Sequence, residues 1–141
     1  MKYLLLVFIF LSCLNAKIYR DSAKEVVLDD SARLMWQDDI SVVKTLLTHE
    51  KAQEYCSQLN LSGYSNWRLP DIEEYELIVY KKNTKTNINF AFKNNLRDGY
   101  WASRALWRTL WFYADYMFFV SGTPYYDSRH KTKYVRCVRE Y

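Results

Sequence analysis

Basic side chains that can bind an acidic group are concentrated in the last third of this 141-residue chain. Arginine makes bidentate hydrogen bonds with carboxylate or sulfate groups, and lysine contributes a flexible point charge. The sequence therefore predicts a binding patch for carboxylate or sulfate groups, made of Arg104, Arg108, Arg129, Lys131 and Lys133. An ordinary solvated hairpin explains the run around His130 without any ligand.

Tryptophan side chains offer flat surfaces on which a sugar ring can stack. Trp67 and Arg68 together could stack a sugar and hold its acidic group, but they lie between two predicted helices. We therefore expect Trp67 to fill the core and Arg68 to bond to loop carbonyls. Trp107 and Trp111 form either a sugar-stacking platform or a lid over the sheet, and we favour the lid.

Signatures of catalysis and of cofactor binding are missing from the sequence. It has no glycine-rich phosphate loop, no nucleophile elbow and no metal-ligand spacing, so we predict neither an enzyme nor a cofactor. The acidic pairs Asp29-Asp30 and Asp38-Asp39 are explained by turns, and calcium is not expected. No nucleic-acid-binding motif occurs, so nucleic acid is not an expected partner.

The N-terminal residues have the pattern of a secretory signal peptide. Met1-Lys2 precedes an apolar run over residues 3–11, and Ala16 supplies a small residue for cleavage. The run is too short to cross a bilayer, so we expect no transmembrane span in the mature chain. We predict a signal peptide over residues 1–16 and a protein in the periplasm or at the surface of a bacterium. A lipoprotein anchored through Cys13 is the alternative.

The two remaining cysteines, Cys56 and Cys137, predict a disulfide bond. An even number of cysteines in an exported chain favours pairing, because the compartment is oxidising. Two alternatives remain open. A metal site would need further ligands at close spacing, and a catalytic thiol would need His49 or His130 beside it in the fold.

Length and charge indicate one domain with two differently charged halves. About 125 residues remain after cleavage, which is typical of a single domain over residues 17–141. Residues 21–80 carry 12 acidic and 5 basic side chains, whereas residues 81–141 carry 4 acidic and 12 basic. Either the halves neutralise each other where they pack, which we favour, or they leave a basic face that attracts polyanions.

Hydrophobic periodicity predicts an α+β domain. We predict strands over residues 25–28, 33–37, 100–103, 111–120 and 133–139, and helices over residues 49–60 and 72–80. Asp71 and Glu74 form a capping-box pattern at the start of the second helix. Residues 81–95 read as an irregular segment that Ile88, Phe90 and Phe92 attach to the core.

Several motifs spread over residues 26–139 occur together in one bacterial family. They are Leu34-Met35-Trp36, Ala52, Tyr55-Cys56, Gly63-Tyr64-Ser65-Asn66-Trp67-Arg68-Leu69-Pro70, Tyr100-Trp101-Ala102-Ser103, Gly122 and Tyr134-Val135-Arg136-Cys137-Val138-Arg139. In this combination the chain resembles the Lcl C-terminal domain family, named after a collagen-like adhesin. Residues 104–111 depart from the family, since they are more apolar and basic than its usual Ser/Asn-rich loop.

The resemblance implies a C-type-lectin-like fold, with two helices flanking a small twisted antiparallel sheet. A disulfide there joins the first helix to the last strand, and Cys56 and Cys137 occupy those positions. The named member is an adhesin that binds sulfated glycosaminoglycans, so the resemblance implies an anionic glycan as ligand. The prediction is thus an exported, non-enzymatic binding module. The alternative is a structural or protein-partner module of the envelope that uses the aromatic segment 107–119.

Overall fold

The computed structural model describes residues 17–106 and 110–141. The predicted signal peptide with Cys13, and also Trp107 and Arg108, lie outside the described residues. In the described ranges the chain forms two α-helices and nine β-strands. They follow the order β1 (Ile18–Asp21), β2 (Val26–Asp29), β3 (Leu34–Gln37), β4 (Leu46–Leu47), α1 (His49–Gln58), α2 (Ile72–Ile78), β5 (Gly99–Ala105), β6 (Tyr113–Phe118), β7 (Thr123–Ser128), β8 (Lys133–Tyr134) and β9 (Val138–Glu140).

The first sheet is antiparallel and has the strand order β1-β2-β3-β9. Its central hairpin, β2–β3, confirms the predicted strands at residues 25–28 and 33–37, with Val27 opposite Trp36. Strand β1 was not predicted, because its residues are only half-buried and carry no clear alternation. A single turn of 3₁₀ helix, Ile40–Val43, follows the hairpin where a loop was expected.

The second sheet has the order β4-β8-β5-β6-β7 and is antiparallel except where β8 runs parallel to β5 at Tyr100 and Tyr134. The α+β prediction is confirmed, but the expectation of one sheet is corrected to two. The predicted final strand at residues 133–139 is divided between them as β8 and β9. In the segment between them, side chains take part in bonds that a regular ladder would make between backbone groups. Arg136 Nη1 donates to the Gln37 carbonyl, and the Cys137 amide donates to Gln37 Oε1.

Both helices begin at the predicted residues. Thr48 is the N-cap of α1, although its hydroxyl makes no capping hydrogen bond. At α2 the capping box is complete: Asp71 Oδ1 accepts from the Glu74 amide at 2.7 Å, and Glu74 Oε1 accepts from the Asp71 amide at 3.0 Å. Such a pair satisfies two amides that the first helical turn leaves without partners.

The core has two parts, which lie on opposite faces of β5 and β6. Tyr100 and Met117 face the α2 side, where they pack with Tyr75 of the helix. Trp101 and Ala114 face the α1 side, where they pack with Cys56. The alternation therefore buries neighbouring residues on both faces. The predicted strand at residues 111–120 is present as β6, which is shorter.

The disulfide closes the second part of the core. The Cys56 and Cys137 sulfurs are 2.04 Å apart, and the bond joins α1 to the segment before β9 across 81 residues. The predicted bond is thus present. Both cysteines are fully buried among Ala52, Trp67 and Val135.

The segment between α2 and β5 is irregular, as predicted, and Ile88 and Phe92 attach it to the core. The prediction for Phe90 is wrong, because this side chain is 70% exposed. Phe90 points outward because it lies in a turn made by its neighbour Asn89, whose side-chain oxygen accepts a hydrogen bond from the Ala91 amide at 2.9 Å.

Candidate ligand-binding site

Two of the predicted ligand-binding residues, Lys131 and Lys133, share one carboxylate. Their Nζ atoms lie 3.1 and 3.0 Å from the two oxygens of Asp127. Burial alone would raise the pKa of Asp127, but hydrogen bonds from Lys133, the Ser128 amide and Lys131 hold it below its ordinary value. The carboxylate is therefore charged at neutral pH, and it neutralises part of the positive cluster.

Lys133 is also largely covered by aromatic rings. Its Nζ lies 3.9 Å from the Tyr116 ring centroid and 5.3 Å from that of Trp101, and only 13% of its side chain is exposed. Lys131 is 66% exposed and can still reach a ligand. The arrangement gives Lys133 a role in the sheet, because a cation held over two rings stabilises their contact.

Arg129 is joined to a buried histidine. Its Nε donates to His49 Nδ1 at 3.2 Å, while His49 Nε2 donates to the Ala102 carbonyl at 2.8 Å. Burial, and more weakly the Arg129 charge, lower the pKa of His49, so the imidazole is neutral at pH 7. Arg129 Nη1 also donates to the Trp111 carbonyl at 3.4 Å. The guanidinium lines a cleft of about 250 Å³ with Glu50, His130 and the 110–112 segment.

Arg104 lies in a different depression, away from Arg129. Its Nε donates to Asp115 Oδ2 at 3.1 Å, and 73% of its side chain is exposed. The four described members of the predicted patch thus occupy two depressions and the Asp127 cluster. The fifth, Arg108, lies outside the described residues.

A groove lies between the start of α2 and the strands β5, β6 and β7. We call it the tyrosine groove. It has a volume of about 480 Å³ and is lined by Asp71, Ile72, Glu73, Ser103, Arg104, Asp115, Pro124, Tyr125 and Tyr126. The lining combines apolar rings with hydroxyl, carboxylate and guanidinium groups, which is the mixture that fixes and orients a small polar ligand.

Tyr126 is the most exposed ring of the groove. Its side chain is 64% exposed, and its ring meets Tyr113 edge-on at 5.9 Å. Tyr125 is 50% exposed and stacks on Tyr116 across the neighbouring strand, with ring centroids 6.0 Å apart. These contacts hold the rings at fixed positions, and a fixed ring loses little entropy when a ligand binds to it.

The charges of the groove are mixed. Glu73 is exposed on the first turn of α2, whereas the side chain of Asp115, which pairs with Arg104, is only 12% exposed. Asp71 is already engaged as the helix cap. Arg104 is the one cation that lines the groove among the described residues, so a ligand there meets one anion-binding group and several acceptors for its hydroxyl groups.

The Trp67–Arg68 pair has a structural role. Trp67 is buried, as predicted, and its Nε1 donates to the Tyr64 carbonyl at 2.8 Å. Arg68 donates to the Leu69 carbonyl at 3.3 Å, as expected, but it also binds carboxylates that were not predicted: both oxygens of Glu74, at 2.6 and 2.8 Å, and Glu140 at 2.5 Å. Those bonds raise the pKa of the guanidinium and join α2 to β9.

An exposed apolar hairpin end is a second candidate surface. Leu110, Trp111 and Phe112 are 78%, 57% and 56% exposed. The prediction that Trp111 forms a lid is therefore wrong, because the sheet ends before the indole and leaves it in solvent. Apolar residues that are exposed side by side, unlike ones scattered singly over a surface, mark a candidate contact surface.

No three His, Cys, Asp or Glu side chains within residues 17–106 and 110–141 lie close enough together to hold a metal ion. In the same ranges, no helix has the length and hydropathy needed to cross a membrane.

The groove residues beyond Arg104 were missed by the sequence reasoning. The run Thr123-Pro124-Tyr125-Tyr126 could have indicated the strand that carries them, because tyrosine favours strands. Pro124 argued against a strand, yet β7 is an edge strand, which tolerates proline.

The described residues form an α+β domain that contains one disulfide bond. Its surface carries an open groove lined by tyrosine rings. The chain belongs to the Lcl C-terminal domain family, which matches residues 25–139. No curated protein matches the sequence.

Proposed function

We propose that this protein is an exported, non-enzymatic binding module with a C-type-lectin-like fold, and that it binds a glycan in the tyrosine groove. Two helices, two small sheets and a disulfide from α1 to the C-terminal segment support the proposed fold. One observation carries the functional proposal: exposed, fixed rings of Tyr125 and Tyr126 stand beside the Arg104–Asp115 pair.

Each part of the groove suits a different part of a sugar. The apolar face of a sugar ring can stack on Tyr126, whose burial on binding is favourable because so much of it is exposed. Ser103, Glu73 and Asp115 offer acceptors for sugar hydroxyl groups. The Arg104 guanidinium can hold one carboxylate or sulfate group through two parallel hydrogen bonds.

The charge of the groove narrows the class of anionic glycan. Asp71, Glu73 and Asp115 outnumber Arg104, so a densely sulfated chain would meet repulsion. We therefore infer a glycan with isolated acidic groups, such as a uronic or sialic acid residue among neutral sugars. Lys131 and Arg129 can attract such a chain from outside the groove.

A glycan array probed with the oxidised protein tests this proposal. We expect binding to glycans that carry isolated carboxylates, weaker binding to their neutral analogues, and loss of binding in the Tyr126→Ala variant. Binding that increases with sulfate density, or that survives in Tyr126→Ala, would place the ligand outside the groove.

A protein-partner module is the second candidate. It is favoured by the exposed Leu110, Trp111 and Phe112, which lie in the aromatic segment 107–119. Self-association through these side chains predicts a dimer in size-exclusion chromatography with light scattering, and a monomer in the Trp111→Ser variant. A wild-type monomer at high protein concentration would contradict self-association.

A further inference from the structure

Residues 80–97, in the loop between α2 and β5 that ends at Asp98, carry a second surface, independent of the tyrosine groove. We propose that this cationic loop docks the protein on a membrane surface rich in anionic phospholipid. No residue of the loop lines the tyrosine groove, so the inference does not rest on the proposed glycan site.

Charge is the first observation. Residues 81–97 contain no aspartate or glutamate, and they carry the five cations Lys81, Lys82, Lys85, Lys93 and Arg97. All five side chains are exposed, and within the described ranges none lies in an ion pair with a carboxylate. The basic residues near β7 and β8 differ, because Lys131 and Lys133 are paired with Asp127, which neutralises part of their charge.

Exposed aromatic rings are the second observation, and they favour a membrane over a soluble polyanion. Phe90 is 70% exposed and Tyr80 is 38% exposed, and the two rings meet edge-on at 5.6 Å. A soluble polyanion gains little from a phenyl ring. At a bilayer surface, phenylalanine enters the boundary between headgroups and acyl chains while neighbouring lysines remain at the level of the phosphates.

The loop has a fixed shape despite its lack of regular structure. Asn87 is buried and donates from Nδ2 to the carbonyls of Phe119 and Val120, at 2.8 and 3.0 Å. Asn83 Nδ2 donates to Thr86 Oγ1 and to the Ile88 carbonyl, both at 2.9 Å. These amides replace the ladder bonds of a strand, so Phe90 and the lysines are presented together before any contact with lipid.

The cationic loop contains a shallow depression that could hold a lipid phosphate group. It has a volume of about 400 Å³, and its lining residues are Lys82, Asn83, Thr84, Lys85, Thr86, Phe90 and Phe92. Lys82 and Lys85 bring two ammonium groups to this lining, and Thr84 and Thr86 bring two hydroxyl groups, together with the exposed ring of Phe90. The lining thus joins donors for a headgroup phosphate with an apolar residue for the acyl chains.

Vesicle flotation tests the proposal directly. The purified protein is mixed with vesicles of 70% phosphatidylcholine and 30% phosphatidylglycerol, or of phosphatidylcholine alone. We expect binding to the anionic vesicles only, with loss at high salt. Lys82→Gln/Lys85→Gln should weaken it roughly thirtyfold, since each lysine near such a surface contributes on the order of 1 kcal/mol. Phe90→Ser should weaken it about tenfold, through the loss of one buried aromatic ring.

Matched controls separate this surface from general charge effects. Lys44→Gln/Lys51→Gln removes the same charge from exposed lysines elsewhere, and Leu46→Ser removes a residue that is 48% exposed. Both should bind as the wild type does. The proposal is overturned if the controls lose binding equally, if both vesicle types bind alike, or if the loop lysines bind heparin and the vesicles do not bind.

Discussion

Arg136 and Asp38 form an ion pair in which both side chains are fully buried, with Nη1 and Oδ1 3.3 Å apart. Asp38 also accepts hydrogen bonds from Arg20 Nε at 2.6 Å and from the Lys93 and Asn94 amides at 2.9 and 3.0 Å. The pair therefore connects the end of β3, the end of the cationic loop and the segment between β8 and β9.

Replacing Arg136 by methionine should lower the free energy of unfolding by about 3–5 kcal/mol, because Asp38 would keep a buried charge with one cationic partner fewer. Urea denaturation measures the change. Arg33→Met, at an exposed turn, is the matched control and should cost less than about 1 kcal/mol. Equal stability of the two variants would show that the pair does not hold the three segments together.

Removing the disulfide with Cys56→Ala/Cys137→Ala should cost about 4.5 kcal/mol in the chain-entropy treatment, because the bond closes a loop of 81 residues. Denaturation of the variant beside the oxidised wild type gives the difference. A loss below about 1 kcal/mol would mean that the unfolded chain gains little freedom when the bond is absent.

Stability should fall as the pH drops below about 6.5 because of His49. Burial lowers the pKa of its imidazole in the folded protein, whereas the unfolded chain keeps the ordinary value of 6.5. Below pH 6.5 the unfolded state therefore binds a proton at His49 that the folded state does not bind. The free energy of unfolding then falls by at most about 1.4 kcal/mol for each pH unit. Unfolding free energies between pH 7 and 5.5 should show this slope in the wild type and in His130→Gln. The slope should be absent in His49→Gln, and its persistence there would assign it to another group.

Gly122 should not tolerate alanine. Its φ is +67°, and an added Cβ would lie 2.9 Å from Val79 Cγ1. Gly63 offers a comparison, since its φ is +81° but no atom lies within 4 Å of the added Cβ. We expect Gly63→Ala to cost about 1 kcal/mol from backbone strain alone, and Gly122→Ala to cost more. Thermal melts of both variants measure the difference. Equal losses of stability would show that the contact with Val79 does not add to the cost at Gly122.

Local patterns predicted the local parts of this fold. The hairpin β2–β3, the starts of both helices and the Asp71–Glu74 capping box each depend on neighbouring residues in the sequence. The disulfide was predictable because Cys137 is the one partner left for Cys56 once Cys13 is assigned to the predicted signal peptide. These features need no knowledge of the rest of the molecule.

Non-local contacts explain what the sequence did not predict. The strand at residues 133–139 divides in two because Arg136 turns inward to Asp38, a residue 98 positions away. Strand β7 forms at the sheet edge, where Pro124 is tolerated, and it completes the groove beside α2. Arg104 was a candidate from its type alone, but its companions Glu73, Asp115 and Tyr126 come together only in the folded chain.

Calorimetric titration with an oligosaccharide that carries one carboxylate per repeat tests the central claim most directly. The account predicts saturable binding by the wild type, loss of at least about tenfold in affinity for Tyr126→Ala and for Arg104→Gln, and unchanged affinity for Tyr19→Ala, which removes an exposed tyrosine outside the groove. Equal affinities for Tyr126→Ala, Tyr19→Ala and the wild type would contradict it.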